Sequence, residues 1–290
     1  MKRHRGRLFV VATPLGNLED VTLRAVNVLK HVSLIAAEDT RRTKKLLAHL
    51  GIKTRLVSCN EHNELKRFQL VLDVCSQGKD VALVSDAGTP GVSDPGALII
   101  KRSREEGIEI LPVPGPSAVA TALSVCGMKA DQYYFAGFLP SKRQERLKAL
   151  KQMAGLECLL VFFEAPHRII AALQDMLELF GDRQAFLARE MTKVHETYIF
   201  SSISRILAAL SEDIRVRGEI TLIVEGAAKR EKFKEEIPEE VEKVMAGLLS
   251  SNKMSVKEAS VLLSGICNIK RGLLYQLALC LSGERECHDH

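Results

Sequence analysis

Short apolar runs alternate with amphipathic stretches along the first 127 residues of the chain. The runs are rich in β-branched residues and are bounded by turn residues, which is typical of strands buried on both faces of a sheet. Apolar positions in the stretches between them recur with helical spacing. Strands that alternate with helices in this way predict a mainly parallel α/β domain over residues 1–127. The predicted strands lie at 8–12, 33–37, 55–57, 81–84 and 108–111.

The pattern changes after Gly127, which ends a predicted helix, and a domain boundary is placed there. Residues 128–228 combine five further strand-like runs with three amphipathic helices, which predicts a second, mixed α/β domain. Two of these runs, 185–188 and 197–200, are joined by a short connection, which favours antiparallel pairing. The other strands are predicted at 133–138, 158–163 and 220–224, and the helices at about 142–154, 166–180 and 202–210.

Residues 236–290 are predicted to form a small helical module, and the charged stretch before them is interpreted as a linker. Ser255 is expected to cap a helix over 256–263. A turn at Gly265 then precedes a second helix over 269–281. The pattern is that of a helix-turn-helix unit, and a helical cap on the second domain fits it equally well.

Capping residues predict where two helices of the first domain begin. Short polar side chains at these positions accept hydrogen bonds from the first free N–H groups of a helix. Asp20 is expected to cap a helix that runs to about residue 31. Ser93 or Asp94 is expected to cap a later helix that holds Pro95 in its first turn.

The predicted strand at 81–84 leads into a loop, 85–96, with three glycines, two prolines and the carboxylates Asp86 and Asp94. Open α/β sheets bind ligands in such loops at the carboxyl ends of their strands. The loop has neither of the glycine-rich phosphate motifs, and its carboxylates would repel a phosphate. It favours a ligand with hydroxyls, a purine ring and a cationic centre, such as S-adenosylmethionine. The alternative is a tight structural turn before a helix.

Composition narrows the class of protein. A length of 290 residues indicates two domains with room for a small third. The net charge of +5 is compatible with nucleic acid binding. Seven scattered cysteines without a C-x-x-C motif argue against disulfides and zinc and fit a cytoplasmic location, and no metal is expected. No signal peptide or membrane span is expected, because no apolar run is long enough.

Polar clusters lie at or just beyond the predicted strand ends of both domains, at 38–42, 163–168, 188–193 and 218–221. Taken singly, most of them are explained by solvated surface residues or helix caps. Their recurrence at strand ends in both domains favours a cleft between the domains.

Six segments carry a resemblance: 13–17, 37–41, 85–96, 114–118, 163–168 and 188–193. Because these segments occur in this order and at these spacings, the chain resembles the tetrapyrrole methylase family over about residues 7–226. The resemblance implies a homodimer that binds S-adenosylmethionine in the cleft between two α/β domains. It also implies methylation of a cytidine ribose 2′-hydroxyl in the decoding region of 16S ribosomal RNA within the small ribosomal subunit. Corrin-type members carry a glycine-rich loop after the first strand, whereas this chain keeps only Gly16 and inserts Pro14, which favours the RNA substrate.

The same resemblance implies which residues line the cofactor. Those in the first domain match family positions on one side of it, and those in the second domain match positions on the other side. The first group is Leu15, Asp86, Ala87, Gly88, Val92, Ser117 and Ala118, and the second is Met191 and Thr221.

Methyl transfer to a ribose hydroxyl needs in-line alignment, and a base can take the proton as the new bond forms. Because the leaving thioether needs no proton, positioning is expected to supply most of the rate. Glu164 and Glu190 are candidates for the base or for orienting the hydroxyl, and the alternative for each is a salt bridge in the cleft. Lys193 and Arg189 are candidates for holding a neighbouring phosphate or lowering the pKa of the hydroxyl.

Basic residues beside the predicted cleft are candidates for contacts with RNA phosphates. Four of them lie in one predicted helix start, which could also be only a solvated face. The candidates are Arg41, Arg42, Lys44, Lys45, Arg168 and Arg189.

Two other functions remain open from the residues. One is methylation of a tetrapyrrole or another small molecule, which the basic helix start at 41–45 and the C-terminal module disfavour. The other is a non-enzymatic role in ribosome assembly through RNA binding, which a failure to bind S-adenosylmethionine would indicate.

Overall fold

The structure, a computed structural model, describes residues 5–60, 63–212, 216–228, 237–250 and 254–282. The chain divides into two compact units, Met1–Ala227 and Ala228–His290. The first unit holds two five-stranded sheets, and the described part of the second consists of helices. Within the described ranges, every helix falls short of the length and apolar character that crossing a lipid bilayer requires.

The first sheet is built from short strands that are almost entirely apolar. Its strands are β1 (Leu8–Val11), β2 (Leu34–Ala37), β3 (Leu56–Ser58), β4 (Val81–Val84) and β5 (Ile110–Val113). Their order is β3-β2-β4-β1-β5, and every neighbouring pair is parallel. The accompanying helices are α1 (Leu23–His31), α2 (Thr40–His49), α3 (Glu64–Ser76), α4 (Ala97–Glu105) and α5 (Ala118–Val125). The prediction of a parallel α/β domain is confirmed.

Helices cover this sheet on both faces, which explains why its strands lack alternating polar positions. Leu8 and Leu34 pack with α3 and α4, whereas the next residue along each strand, Phe9 and Ile35, packs with α1 and α2. Successive side chains of a strand point to opposite faces, so both must be apolar when both faces are covered.

Two helices of this domain begin later than their capping residues predicted. Leu18–Asp20 forms a separate 3₁₀ turn, so Asp20 does not cap α1, and Thr22 does so by accepting a hydrogen bond from the Ala25 N–H. The prediction that Ser93 or Asp94 caps α4 is also wrong. Gly96, at φ +124°, is the N-cap residue and leaves Pro95 outside the helix.

The second sheet is mixed. Its strands are β6 (Tyr133–Phe138), β7 (Leu159–Glu164), β8 (Gln184–Arg189), β9 (Thr197–Ser202) and β10 (Ile220–Val224). The order is β6-β7-β10-β8-β9, with only β6 and β7 parallel among the described pairs. The predicted antiparallel pairing of the strands between 185 and 200 is therefore confirmed. Its helices are α6 (Arg143–Met153), α7 (Ile169–Phe180) and α8 (Ile203–Glu212).

The second unit contains α9 (Glu239–Ser250), α10 (Val256–Cys267) and α11 (Arg271–Leu281) around a core that includes Met245, Leu263 and Leu274. Ser255 caps α10 as predicted, in a capping box with Glu258. The predicted turn at Gly265 is wrong, because α10 continues through it to Asn268, which takes the left-handed conformation at φ +53°. Most of the predicted charged linker, 229–236, lies outside the described residues.

Candidate active site

The carboxyl ends of the first sheet's central strands meet at one edge. Val11 at the end of β1 pairs with Val84 of β4 on one side and with Val113 of β5 on the other. The loops that follow these strands therefore start side by side, which is where open parallel sheets build ligand sites.

The loop after β4 is fixed to the loop after β1. Thr13 and Gly88 exchange two backbone hydrogen bonds of 2.9 Å each, and the buried Thr13 hydroxyl donates to the Ser85 carbonyl at 3.1 Å. Gly88 has φ +80°, a conformation that side chains with a Cβ rarely adopt. The glycine lets this loop turn back onto the β1 loop, so the predicted ligand loop is rigidly placed.

The second sheet presents a matching edge. Ile220, at the start of β10, pairs with both Glu164 at the end of β7 and Arg189 at the end of β8. Because β10 is antiparallel to both neighbours, its amino end lies beside their carboxyl ends. Residues 163–166 and 218–221 consequently come together on this edge.

The two edges enclose a cavity of about 450 Å³, which we call the larger cavity. Residues from both domains line it, in agreement with a cleft at the strand ends. Eight of the nine residues that the family resemblance places around the cofactor are in its wall: Leu15, Asp86, Ala87, Gly88, Val92, Ser117, Ala118 and Thr221.

Met191, the ninth, does not line the larger cavity. It is 8% exposed and packs in an apolar cluster with Val119, Phe186 and Ile223. The wall also contains Glu38 and Glu219, neither of which was assigned a role from the sequence. Both belong to polar clusters that the sequence marks, although Glu38 follows β2 whereas Glu219 precedes β10.

Carboxylates dominate the charge of this cavity. Among its described lining residues, the one cation is Arg42, against five acidic residues: Glu38, Asp86, Asp94, Glu164 and Glu219. Burial and the negative charge of Glu38 raise the pKa of Asp94 to about 6, although a hydrogen bond with Ser85 opposes the shift. Such a wall attracts a cationic ligand and repels a phosphate.

Asp86 links the strand ends of β2 and β4. Its Oδ1 accepts a hydrogen bond from the Asp39 N–H at 2.8 Å, and its own N–H donates to Glu38 Oε2 at 3.4 Å. Its Oδ2 lies 3.6 Å from Arg42 Nε. The carboxylate is thus held in one orientation at the cavity wall.

Glu164 is 2% exposed and engaged on both oxygens. Its Oε1 lies 2.8 Å from Arg168 Nε and accepts a hydrogen bond from the Ala165 N–H, while Oε2 accepts from Arg168 Nη2 at 3.2 Å. Arg168 also donates to the Leu139 carbonyl. In this arrangement the pair fixes the cavity wall at 164–166.

Glu190 and Lys193 do not line the larger cavity but support Glu219, which does. Lys193 Nζ lies 2.6 Å from Glu190 Oε1 and 3.2 Å from Glu219 Oε2. Burial opposes both charges, yet the hydrogen bond between Glu190 and Lys193 leaves the pKa of Glu190 below its ordinary value and that of Lys193 above it. Both groups are charged at neutral pH, so Lys193 acts as a fixed cation.

A smaller cavity of about 250 Å³ adjoins the larger one. The two share Leu15, Arg42, Asp86 and Glu219. Lys45 and Lys193 line only the smaller cavity, so with Arg42 its wall holds three cations against the two carboxylates Asp86 and Glu219.

The remaining basic candidates line neither cavity. Arg41 is bound to Asp39, its own N-cap residue, and this hydrogen bond lowers the pKa of Asp39 to about 2. Lys44 is exposed, and Arg189 ends β8. Among the described residues, no group of three His, Cys, Asp or Glu side chains is arranged to hold a metal ion.

Comparisons with known proteins agree on a family and a fold. Residues 7–207 match the family model for tetrapyrrole (corrin/porphyrin) methylases. The chain is 41% identical over 287 residues to ribosomal RNA small subunit methyltransferase I of Escherichia coli O157:H7, covering 96% of this chain and 99% of that protein. It is 44% identical over 275 residues to the protein of the same name from Neisseria meningitidis serogroup B, covering 94% and 93%.

Solved structures with the same fold include the methyltransferase CobJ, with a TM-score of 0.60 at 19% identity over 78% of this chain and 96% of that one. Cobalt precorrin-4 methyltransferase CbiF gives a TM-score of 0.57 at 15% identity over 75% and 94%. At these identities the likeness concerns the fold alone.

Proposed function

The chain belongs to the tetrapyrrole methylase family, and on that premise we propose that it methylates 16S ribosomal RNA with S-adenosylmethionine as the methyl donor. The acceptor in this proposal is the ribose 2′-hydroxyl of a cytidine in the decoding region of the small ribosomal subunit. The observation that carries the proposal is the larger cavity, an acidic pocket at the meeting point of two sheet edges.

The residues of the larger cavity fit this cofactor. Five carboxylates against one guanidinium suit a ligand whose sulfur is positively charged, and the loop at Gly88 is held rigidly beside them by its two backbone hydrogen bonds with Thr13. Bound there, S-adenosylmethionine would supply a methyl group on a positively charged sulfur. The apolar side chains of Leu15, Val92 and Phe163 provide surface for the rest of the ligand.

The RNA substrate is supported by the relatives. Two of them that are named as ribosomal RNA methyltransferases are 41% and 44% identical to this chain over nearly its full length. The structural neighbour named as a precorrin enzyme, CbiF, is far more distant in sequence, at 15% identity. Arg42 and Lys45 line the smaller cavity and would meet the RNA backbone, and the exposed Arg41 and Lys44 and the partly buried Arg189 would add weaker contacts.

The chain's own residues contribute alignment and charge to the reaction. The Glu164–Arg168 pair holds the wall against which the ribose is positioned, and Glu190 with Lys193 orients Glu219. Asp94 lies in the wall of the larger cavity, where burial and Glu38 raise its pKa to about 6, so it is a further candidate to accept a proton from the hydroxyl near neutral pH.

The proposal includes a homodimer and a cytoplasmic location. Both edge strands of the second sheet expose aromatic side chains, which are Tyr133, Tyr134 and Phe138 on β6 and Tyr198 and Phe200 on β9. A second copy of the chain could cover such a surface. Free cysteines in the described residues, three of them buried, suit a reducing compartment, and ribosomal RNA lies in the cytoplasm.

The test is methyl transfer from radiolabelled S-adenosylmethionine to naked 16S RNA, assembled 30S subunits and a tetrapyrrole, run in parallel. We expect label in one or both RNA substrates. The labelled nucleotide should resist alkaline cleavage, because hydrolysis of the adjacent phosphodiester needs a free 2′-hydroxyl. Transfer only to the tetrapyrrole would establish the small-molecule alternative, and RNA binding without transfer would indicate an assembly factor.

A further inference from the structure

We infer that the smaller cavity is a phosphate subsite, which holds the backbone phosphate next to the ribose being methylated. The inference rests on the proposed function, since it assigns a specific place to one phosphate of that RNA. It also divides the basic residues of α2 into a pair that lines the subsite and a pair that does not.

Cations from different parts of the fold converge on this cavity. Arg42 and Lys45 come from α2 of the first domain, and Lys193 comes from the loop after β8 of the second. Residues 42 and 45 are three positions apart and lie on the same face of the helix. Arg41 and Lys44 are also three apart, but their face lines neither cavity.

Lys193 is placed by close packing. A Cβ on Gly16 would lie 2.3 Å from Lys193 Cγ, so the lysine stem crosses the β1 loop where a larger residue would block it. The Asn17 N–H donates to the Thr192 hydroxyl at 3.1 Å and anchors the same loop. Lys193 of the second domain is therefore held against the loop after β1 of the first domain.

Two of the three cations of the smaller cavity, Arg42 and Lys45, can take a phosphate as a partner, whereas Lys193 stays paired with Glu190 and Glu219. Arg42 lies 3.6 Å from Asp86 and 3.7 Å from Glu219, distances at which half-exposed ion pairs are weak. Lys45 is exposed and makes no ion pair with any other part of the chain that the structure describes. A phosphodiester would give Lys45 its first anionic partner and compete with Glu219 for Arg42.

The position of the subsite fits a nucleotide. The two cavities share part of their walls, so a ligand that fills both passes within a short distance from a strongly acidic pocket to one with more cations than carboxylates. A ribose at the junction would present its 2′-hydroxyl to the larger cavity and its phosphate to the smaller one.

The experiment compares Lys45→Gln with Lys44→Gln, which remove the same charge from adjacent residues of one helix. Lys53→Gln, at an exposed position after α2 that is assigned no role, is the control. Affinity for 30S subunits is measured by filter binding between 50 and 300 mM salt. Cofactor affinity is measured by calorimetry on each variant to confirm that the larger cavity is intact.

We expect Lys45→Gln to weaken binding by about three- to tenfold and to reduce the salt slope by about one unit, as loss of one phosphate contact does. Lys44→Gln should lose clearly less affinity for 30S subunits, and Lys45→Arg should keep the wild-type salt slope. Equal losses in Lys44→Gln and Lys45→Gln would show a diffuse basic face and overturn the subsite. So would the absence of any loss at Lys45.

The proposed function fails in a different way. A wild-type chain that transfers no methyl group to RNA overturns both proposals. A wild-type chain that methylates RNA, together with a Lys45→Gln variant that behaves like Lys53→Gln, overturns the phosphate subsite alone.

Discussion

The larger and the smaller cavity share four wall residues, yet the larger has five carboxylates against one cation and the smaller has three cations against two carboxylates. The shared residues are Leu15, Arg42, Asp86 and Glu219. Glu38, Asp94 and Glu164 belong to the larger cavity alone and make it acidic, whereas Lys45 and Lys193 belong to the smaller one and make it cationic. Two ligands of opposite charge can therefore bind in contact with each other, with the cationic one favoured in the larger cavity and the anionic one excluded from it.

The difference arises from which elements complete each wall. The loop after β4 and the end of β7 complete the larger cavity, and α2 with the loop after β8 completes the smaller one. Arg42 and Glu219 stand on the boundary and pair with each other at 3.7 Å. Changes confined to one wall should consequently affect one ligand much more than the other.

The largest effect is expected for Gly88→Val. A Cβ there lies 3.4 Å from the Leu15 side chain, and φ +80° disfavours a β-branched residue by about 1–2 kcal/mol. The branched side chain would also extend into the larger cavity. We expect the affinity for S-adenosylmethionine, measured by calorimetry, to fall by about tenfold or more, equivalent to at least about 1.4 kcal/mol.

Gly91→Val is the matched control for this prediction. Gly91 has φ +81° in the same loop but does not line the larger cavity, and its nearest neighbour for a Cβ is Ile100 at 3.7 Å. It carries the same backbone strain without the obstruction. If both variants lost the same affinity, loop strain would explain the result and the cavity assignment would be contradicted.

A smaller effect is expected from pH. Because the pKa of Asp94 is raised to about 6, its carboxyl gains a proton as the pH falls from 7 to 5. A positively charged ligand is attracted only to the ionised form, so cofactor affinity should decrease through this range by about three- to tenfold. Isothermal titration at several pH values measures the change.

Asp94→Asn separates this carboxylate from its neighbours. The amide cannot ionise, so the variant should bind the cofactor weakly and almost independently of pH between 5 and 7. If Asp94→Asn kept the wild-type pH dependence of cofactor affinity, another group would be responsible for it. Asp94 would then not be one of the charges that attract the cofactor.

The sequence predicted the walls of the larger cavity better than those of the smaller one. Apolar runs followed by glycines and carboxylates mark strand ends. In a parallel sheet the ligand-binding loops follow those ends, as loop 85–96 does. Glu219 precedes its strand, and it joins the site only because β10 runs antiparallel to β7 and β8. Hydrophobic patterning contains no information on that direction.

Other differences arose where local signals competed or where distant segments met. Asp20 and Thr22 are both good caps, and the Asn17 side chain decided between them by closing a 3₁₀ turn through the Glu19 N–H. Gly265 and Asn268 competed in the same way for the turn after α10. The packing of Lys193 over Gly16 depends on the docking of two domains, which no single segment specifies.

The smallest effect on either cavity is expected from removal of the helical unit. All residues that line the two cavities fall within Met1–Ala227, and the helical unit has its own core around Met245, Leu263 and Leu274. A chain truncated after Ala228 should therefore bind S-adenosylmethionine with an affinity within about twofold of the full chain.

Its rate of methyl transfer to 30S subunits should fall much further. Two linked contacts bind a large RNA more tightly than either contact alone, so the loss of one weakens binding strongly. Full-rate methylation by the truncated chain would show that the helices do not anchor the substrate. If the truncated chain instead lost cofactor binding, or if circular dichroism showed that it does not fold, the helices would be a structural cap on which both cavities depend.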